Sequence, residues 1–325
     1  MTRLLTQRAA VRAGIGVAVA GLAVAATTSA TAGAGYRHSS KAANLSAGAE
    51  TVLIGRDYAA VSPAAKIFVV GLSGKKTTGL PETMTPGYHT FVLKQLAKGV
   101  RDLNIVRFKD PTYTKKKADR DFGLAFGETF NAKAYHRLVT RLVLEGGLAT
   151  ANTGVVAAQV TLKLKPNSTY FFDNADDNGG PSEVITKVTT TGPETATGAA
   201  PKATATIGQK EYAFLIQGLK AGTQIVKLGN IGSQIHELGI GQITDPTKTE
   251  QDAVDALLNS DPNAAPPDWL QFVGFGGIHT PKDTEYLKLH LNHGGRYIFV
   301  CFMPDANSGG TPHIVRGMHR LVEIP

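Results

Sequence analysis

The sequence predicts an all-β protein made of two tandem Greek-key β-sandwiches, each with a short helical insertion. Short segments in which apolar and polar residues alternate recur along the chain, and this period of two is typical of half-buried strands. The chain also contains 36 glycines and 16 prolines, which favour frequent turns. In addition, its two halves align with each other, and a repeated unit of this length with short strands favours one sandwich in each half.

The internal alignment pairs residues 85–111 with residues 220–246 without a gap, at a constant offset of 135. Further along, Gly146-Gly147 matches Gly276-Gly277, and the aromatic segment 169–172 matches 296–299. We therefore interpret the chain as a tandem duplication of one fold.

The chain begins with basic residues, an apolar segment at 13–26 and an Ala30-x-Ala32 motif. This pattern is that of a cleavable export signal, and the apolar segment is too short to span a bilayer. The sequence thus predicts a signal peptide at 1–32, a secreted or extracytoplasmic protein, and a disordered leader at 33–48. No later segment is apolar for long enough to form a transmembrane segment.

After the leader, we predict a first domain at 49–188, a linker at 189–202 and a second domain at 203–325. The linker is polar and is interrupted by Pro and Gly, as expected for a segment between domains.

Within the second domain, residues 286–291 alternate and predict a half-buried strand, whereas 296–302 is more apolar, as in an inner strand. Apolar residues at helical spacing predict a short helix within 247–259, and its counterpart in the first domain is expected at 132–144.

The charge distribution argues against nucleic-acid binding. Loss of three arginines with the signal peptide would lower the formal net charge by three, from +8 to +5. The lysines are scattered except at 115–117, where we predict a solvated loop, because no aromatic residues or binding motif accompany them.

The protein contains one cysteine, Cys301, which cannot form an internal disulfide and should be buried, ligated or both. It stands with His236, His313 and Met318 in an order that suits a mononuclear copper-thiolate site. Soft sulfur favours Cu(I) and imidazole suits Cu(II), so this donor set serves a copper ion that cycles between both states. These four residues are the predicted metal ligands.

With these residues the C-terminal half resembles the cupredoxins, the blue copper proteins related to plastocyanin and azurin. The resemblance covers about residues 203–325, and its most similar part comprises 297–301, 312–318 and the closing strand at 321–324. In that family one histidine comes from an early strand, and the cysteine, second histidine and methionine come from the loop between the last two strands. The four predicted ligands match these positions one by one.

The resemblance implies a cupredoxin-like fold in both halves and one type 1 copper site in the C-terminal domain. Eleven residues separate Cys301 from His313, and this long loop looks more like that of the copper nitrite reductases. Glu237 follows the first histidine, where the family often has a small polar residue.

The aligned positions of the first half carry other residue types, so we predict that this domain is metal-free. Two cations, an amide and a hydroxyl replace the ligands, and such a set does not bind copper. The replacements are Arg101 for His236, Asn174 for Cys301, Ser182 for His313 and about Lys187 for Met318.

No catalytic motif emerges, so the sequence predicts that the chain is not an enzyme. Cys301 is not flanked by histidines, which removes the relay that resembles multicopper oxidases, and no Gly-x-Ser-x-Gly elbow occurs. His279, His290 and His293 are expected on or near a strand surface, without a second metal cluster.

We therefore predict an exported copper protein that transfers single electrons to or from an unknown redox protein partner. If exposed, the apolar surroundings of Pro312 and Ile314 would be its docking face. Two alternatives stay open: a metal-free extracellular cupredoxin-like binding or structural protein, and a copper storage or delivery protein. Convergence of the three strong ligand atoms to within about 4 Å would favour copper over the metal-free alternative.

Overall fold

The computed structural model describes residues 66–96, 101–127, 129–149, 157–176, 184–193, 199–258 and 267–325. The predicted signal peptide, the predicted leader and Ser182 lie outside the described residues. Within these ranges, no helix has the length and apolar character needed to cross a membrane.

In the described part of the N-terminal half, short strands surround two consecutive helices. The strands are β1 (Lys66–Leu72), β2 (Thr77–Thr78), β3 (Thr83–Met84), β4 (Gly87–Gln95), β5 (Arg101–Phe108), β6 (Leu142–Ala149), β7 (Ala157–Leu164), β8 (Thr169–Asp176) and β9 (Ile185–Thr190), and the helices are α1 (Lys115–Phe126) and α2 (Ala132–Arg141).

The described part of the C-terminal half has the same character, with one α-helix and a short 3-10 helix. Its elements are β10 (Ala205–Lys210), β11 (Ala213–Gln217), β12 (Gly222–Asn230), β13 (His236–Ile243), α3 (Glu250–Leu258), β14 (Leu270–His279), β15 (Thr284–Leu291), β16 (Arg296–Val300), β17 (Pro304–Asp305), β18 (Thr311–Pro312), the 3-10 helix (His313–Arg316) and β19 (His319–Glu323).

The strands form two large sheets, which confirms the predicted β class. The first sheet has the order β11-β10-β12-β15-β7-β4-β1-β2, and the second has the order β19-β16-β13-β14-β6-β5-β8-β9-β3. Each large sheet contains strands of both halves, joined by the antiparallel pairs β15–β7 and β14–β6. Both layers are therefore continuous from one half to the other.

The strand registers repeat between the halves. Gly87 pairs with Leu164 in the first half, and Gly222 pairs with Leu291 in the second, at offsets of 135 and 127. A buried tyrosine has the same role twice: the Tyr170 hydroxyl accepts the N–H of Lys165 at 2.5 Å, and the Tyr297 hydroxyl accepts the N–H of Asn292 at 3.0 Å.

A glycine contact joins the halves at the centre of the second sheet. A Cβ atom on Gly277 would overlap the backbone nitrogen of Gly147, so the two backbones meet where neither residue has a side chain. The fully buried carboxylate of Glu285 accepts the N–H of Gly147 at 2.9 Å and that of Gly277 at 3.0 Å. One side chain from β15 thus satisfies backbone donors of both halves.

The helices agree with the sequence only in part. Helix α3 lies within the predicted 247–259, and α2 lies within 132–144. The solvated loop expected at 115–117 is wrong, because α1 begins there. The Thr114 hydroxyl accepts the N–H of Lys117 at the start of this helix, as an N-cap residue does.

One ion pair stabilises α1 internally, and another attaches it to α2. Lys115 contacts Asp119 one turn further along the helix, at 2.8 Å. The buried Asp121 receives two hydrogen bonds from Arg137 on α2, at 2.6 and 2.7 Å. The second pair connects residues 16 positions apart, so it was not visible in the local pattern.

The apolar core extends through both halves. Phe91 and Phe172 of the first half, with ring centroids 5.1 Å apart, belong to the same buried cluster as Phe299 of the second. The half-buried strand predicted at 286–291 is confirmed, since the leucines of β15 are buried and His290 is exposed. The first residues of the predicted linker, 189 and 190, belong to β9.

Candidate metal centre

The sandwich brings the predicted ligands to one end of the second sheet. β13 runs antiparallel to β16, and Gly239 pairs with Val300. His236, the first residue of β13, therefore lies beside Cys301, which directly follows β16. The chain then returns through β18, and His313 opens the 3-10 helix. All three side chains are fully buried.

Three ligand atoms converge in this pocket. The Nδ1 atoms of His236 and His313 are 3.1 Å apart, and the sulfur of Cys301 lies 3.9 Å from the first and 3.5 Å from the second. Among the described residues, these three form the one group of His, Cys, Asp and Glu side chains that could hold a metal ion.

Met318 is placed beside the other three by the backbone. Its N–H donates to the carbonyl of His313 at 2.9 Å, and its carbonyl accepts the N–H of Cys301 at 3.2 Å. The N–H of Ile314 also donates to the carbonyl of Cys301 at 2.8 Å. The Met318 side chain is fully buried. Its role as an axial ligand stays a prediction.

The long loop between Cys301 and His313 is folded into a hairpin around Asp305. β17 and β18 pair across this loop. The buried carboxylate of Asp305 accepts hydrogen bonds from Gln234 at 3.0 Å and from the N–H of Asn307 at 2.9 Å. Asp305 also forms a contact with Ser308. The residues of this long loop thus form a turn that is held by hydrogen bonds to Asp305.

Burial sets the protonation of the three groups. Burial and the neighbouring His313 lower the pKa of His236 to about 3, and burial lowers the pKa of His313 to about 4. Burial also raises the pKa of Cys301, and the Glu237 carboxyl acts in the same direction. At neutral pH and without metal, the pocket holds two neutral imidazoles and a protonated thiol.

This donor set fits a thiolate-binding metal ion. Neutral imidazole is the form that ligates metals, and a bound ion displaces the thiol proton because it stabilises the thiolate. Metal bonds of about 2.0 to 2.3 Å require ligand atoms within about 4 Å of one another. The three separations in this pocket meet that requirement.

Glu237 connects the two strands that carry the ligands. Its backbone N–H points to the sulfur of Cys301 at 3.5 Å, and its carboxylate accepts the N–H of Phe302 at 2.9 Å. Because the carboxyl is buried, its pKa rises to about 8, although the hydrogen bond from Phe302 acts in the opposite direction. Glu237 therefore contacts both Cys301 and the residue that follows it.

Two consecutive residues of the β10–β11 turn cover the outer edges of the imidazoles. Glu211 Oε1 lies 3.7 Å from Nε2 of His236. The ring of Tyr212 meets the ring of His313 edge-on, with centroids 5.7 Å apart. The Tyr212 hydroxyl donates to Asp305 at 2.8 Å, and Arg316 stacks over its ring at 5.2 Å.

The N-terminal half also contacts the ligand segments. The hydroxyl of Tyr135 on α2 accepts the N–H of Ile235, the residue before His236, at 3.0 Å. Both residues are buried. Gly310 in the ligand loop lies so close to Phe130 that a Cβ there would overlap the phenylalanine side chain.

At the corresponding positions of the first half, the described residues form a different set of contacts. Asn174 is buried, and its amide donates to the carbonyl of Ser73 at 2.8 Å and to the hydroxyl of Thr77 at 3.2 Å. Lys187 is exposed on β9. The described part of this half contains no group of potential metal ligands of the kind found around Cys301.

The docking face is predicted only if the apolar surroundings of Pro312 and Ile314 are exposed. These two residues are buried, whereas Val315 beside them is 47 % exposed. The expected position of His279 is wrong. His279 is not on a strand surface but fully buried, directly across from His236 in the β13–β14 pair. Its Nε2 lies 3.6 Å from Glu285, the residue that joins the two halves.

Comparisons with known proteins identify similar structures but no sequence family. No family model and no curated protein matches the chain. Auracyanin A, a blue copper protein from Chloroflexus aurantiacus, is 18% identical over 37% of this chain and 96% of its own, with a TM-score of 0.24. Copper nitrite reductase from Nitrosomonas europaea is 12% identical over 80% of this chain and 94% of its own, with a TM-score of 0.20.

A multi-copper oxidase from Pseudomonas thermotolerans is 10% identical over 81% of this chain and 69% of its own, with a TM-score of 0.22. This oxidase and the nitrite reductase are enzymes, so the expectation that the chain is not an enzyme is withdrawn. That expectation was drawn from missing catalytic motifs. Such motifs are local in sequence, whereas a catalytic site can be assembled from residues far apart in the chain.

Proposed function

We propose that the chain is an exported copper protein that transfers single electrons through one type 1 copper site in its C-terminal half. His236, Cys301 and His313 would be the strong ligands and Met318 the weak axial one. The observation that carries this proposal is the convergence of two imidazole nitrogens and a thiol sulfur in one fully buried pocket.

The donor types favour copper over zinc. Structural zinc sites take four strong ligands from Cys, His and carboxylates, whereas Met318 offers a thioether. Two imidazoles, a thiolate and a weak thioether are the donors of electron-transfer copper sites. A bound copper ion supplies a one-electron couple at this position.

The residues of the chain hold the ligands still and keep water out. The hydrogen bonds among His313, Met318 and Cys301 fix the three ligands of the returning loop. The N–H of Glu237 faces the sulfur, where it stabilises negative charge on a thiolate. A pocket that stays the same in both oxidation states lowers the reorganisation that accompanies electron transfer.

The partner would be a redox protein that approaches near His313. Val315 and Arg316 on the 3-10 helix are exposed and lie two and three residues after this histidine. The burial of all three strong ligands favours electron transfer over copper delivery, because release of the ion would require the pocket to open.

Loading the purified protein with Cu(II) tests the proposal. We expect one copper per chain and intense visible absorption from thiolate-to-copper charge transfer. Cys301→Ser should abolish the absorption, while His290→Ala, which changes an exposed histidine on β15, should leave it intact. A colourless wild-type protein, or copper bound equally well by Cys301→Ser, would refute the proposed site.

A further inference from the structure

The β10–β11 turn brings a carboxylate to the outer edge of one predicted ligand. Tyr212 at this turn has a φ of +61°, and Glu211 precedes it. The parallel pairing of β10 with β12 sets the turn beside the segment that leads into His236. As a result, Glu211 Oε1 lies 3.7 Å from Nε2 of His236.

The backbone around residue 232 holds this carboxylate. Glu211 Oε1 accepts the N–H of Gln234 at 2.9 Å and also the N–H of Ser233. A Cβ atom on Gly232 would lie 2.6 Å from Glu211 Oε1 and 2.8 Å from Nε2 of His236. The absence of a side chain at this position therefore permits the carboxylate to approach the imidazole.

The orientation of His236 decides which nitrogen faces Glu211. Nδ1 points to the sulfur of Cys301 and to His313, so it is the nitrogen available to a metal. A neutral imidazole that gives Nδ1 to a metal carries its proton on Nε2. Nε2 of His236 is buried, makes no hydrogen bond, and has the Glu211 carboxylate 3.7 Å away. A carboxylate that accepts the Nε2 proton fixes the ring and increases the basicity of the ligand.

We propose that Glu211 is a positioning residue of the copper site, which selects Nδ1 of His236 as the ligand and stabilises Cu(II) relative to Cu(I). This inference rests on the proposed function. The carboxylate is negative, and Cu(II) carries one more positive charge than Cu(I), so their attraction is stronger in the oxidised state. The Glu211 side chain is 23% exposed, and solvent therefore screens part of this attraction.

The test compares the copper-loaded wild type with Glu211→Gln. The amide oxygen of Gln can still accept the N–H groups of Ser233 and Gln234, so this change removes the charge and keeps the turn. We expect the ratio of Cu(II) to Cu(I) affinity to fall about tenfold, which corresponds to a rise of about 59 mV in the reduction potential.

Glu323→Gln is the matched control. Glu323 pairs with Arg296 at the opposite end of β16 from Cys301 and is exposed. Five residues of strand, about 16 Å, separate that end from Cys301. This variant changes the net charge equally and should leave the potential unchanged.

A second measurement needs no substitution. In the Cu(I)-loaded wild type, ¹⁵N NMR should show His236 protonated at Nε2 and ligated at Nδ1. Ligation at Nε2, or equal potentials for Glu211→Gln and the wild type, would overturn the role of Glu211. A wild-type protein without charge-transfer absorption would instead overturn the proposed copper site itself.

Discussion

Tyr135→Phe tests whether the N-terminal half supports the metal centre. This substitution removes one oxygen atom from a buried ring on α2. The lost hydroxyl accepts the N–H of Ile235 at 3.0 Å, next to His236. Ile235 is fully buried and Tyr135 is 4% exposed, so water does not readily replace the lost acceptor.

A buried backbone N–H left without its acceptor costs about 1 to 3 kcal/mol, and the removed atom leaves little additional cavity. We therefore expect the free energy of unfolding of the metal-free protein to fall by about 2 kcal/mol, measured by urea denaturation with an unchanged slope. The segment before His236 also loses its attachment, so copper should dissociate about tenfold faster.

Tyr297→Phe provides the comparison. Its hydroxyl accepts the N–H of Asn292 at 3.0 Å, at the end of β16 away from Cys301. This variant should also lose stability but should release copper at the wild-type rate. The reasoning is refuted if Tyr135→Phe costs less than about 0.5 kcal/mol, or if both variants release copper equally fast.

Three further predictions concern packing and charge. Gly310→Ala should lower the thermal unfolding midpoint more than Gly309→Ala. Both residues have positive φ, but only a Cβ at Gly310 overlaps Phe130. Equal shifts of the midpoint would contradict the close contact between Gly310 and Phe130. Burial alone would raise the pKa of Asp121, but its hydrogen bonds lower it to about 2. The resulting stabilisation of about 2 kcal/mol is complete above pH 4 and lost toward pH 2. In Asp121→Asn the free energy of unfolding should therefore change less with pH over this range than in the wild type. Gly277→Ala should destabilise the protein by more than about 3 kcal/mol in urea denaturation, and a loss below 1 kcal/mol would show that the backbones separate easily.

The segments that carry the predicted ligands could be predicted because their residues lie close together in the sequence or follow the ligand order of the cupredoxins. Cys301 ends an apolar strand, and His313 and Met318 follow on the returning loop. His236 lies far away in sequence, and it is predicted from the resemblance to the cupredoxins, in which the first histidine comes from an early strand. The β13–β16 pairing then brings the two segments together.

The surroundings of the site could not be predicted, since they depend on contacts between distant strands. Glu211 is 25 positions from His236 and reaches it through parallel pairing of β10 with β12. His279 is expected on or near a strand surface together with His290 and His293, but the structure buries it. Every residue of β14 from Val273 to His279 is buried, so both faces of this part of the strand are covered.

Helix α1 was missed for a similar reason. Three consecutive lysines at 115–117 are typical of a solvated loop. In the folded protein the buried Asp121 on this helix is neutralised by Arg137 from α2. The sequence around either residue does not indicate this ion pair, because the two residues become neighbours only when the two helices pack together.

The glycine contact between Gly147 and Gly277 lies at a junction that makes the two halves difficult to separate into independent fragments. The pairs β14–β6 and β15–β7 bury four strand edges at the junction. If the chain were cut between the halves, each fragment would expose two of these edges, which favour pairing with other chains. We therefore expect that the C-terminal half does not fold as a small module on its own, and that the intact chain unfolds in a single cooperative transition.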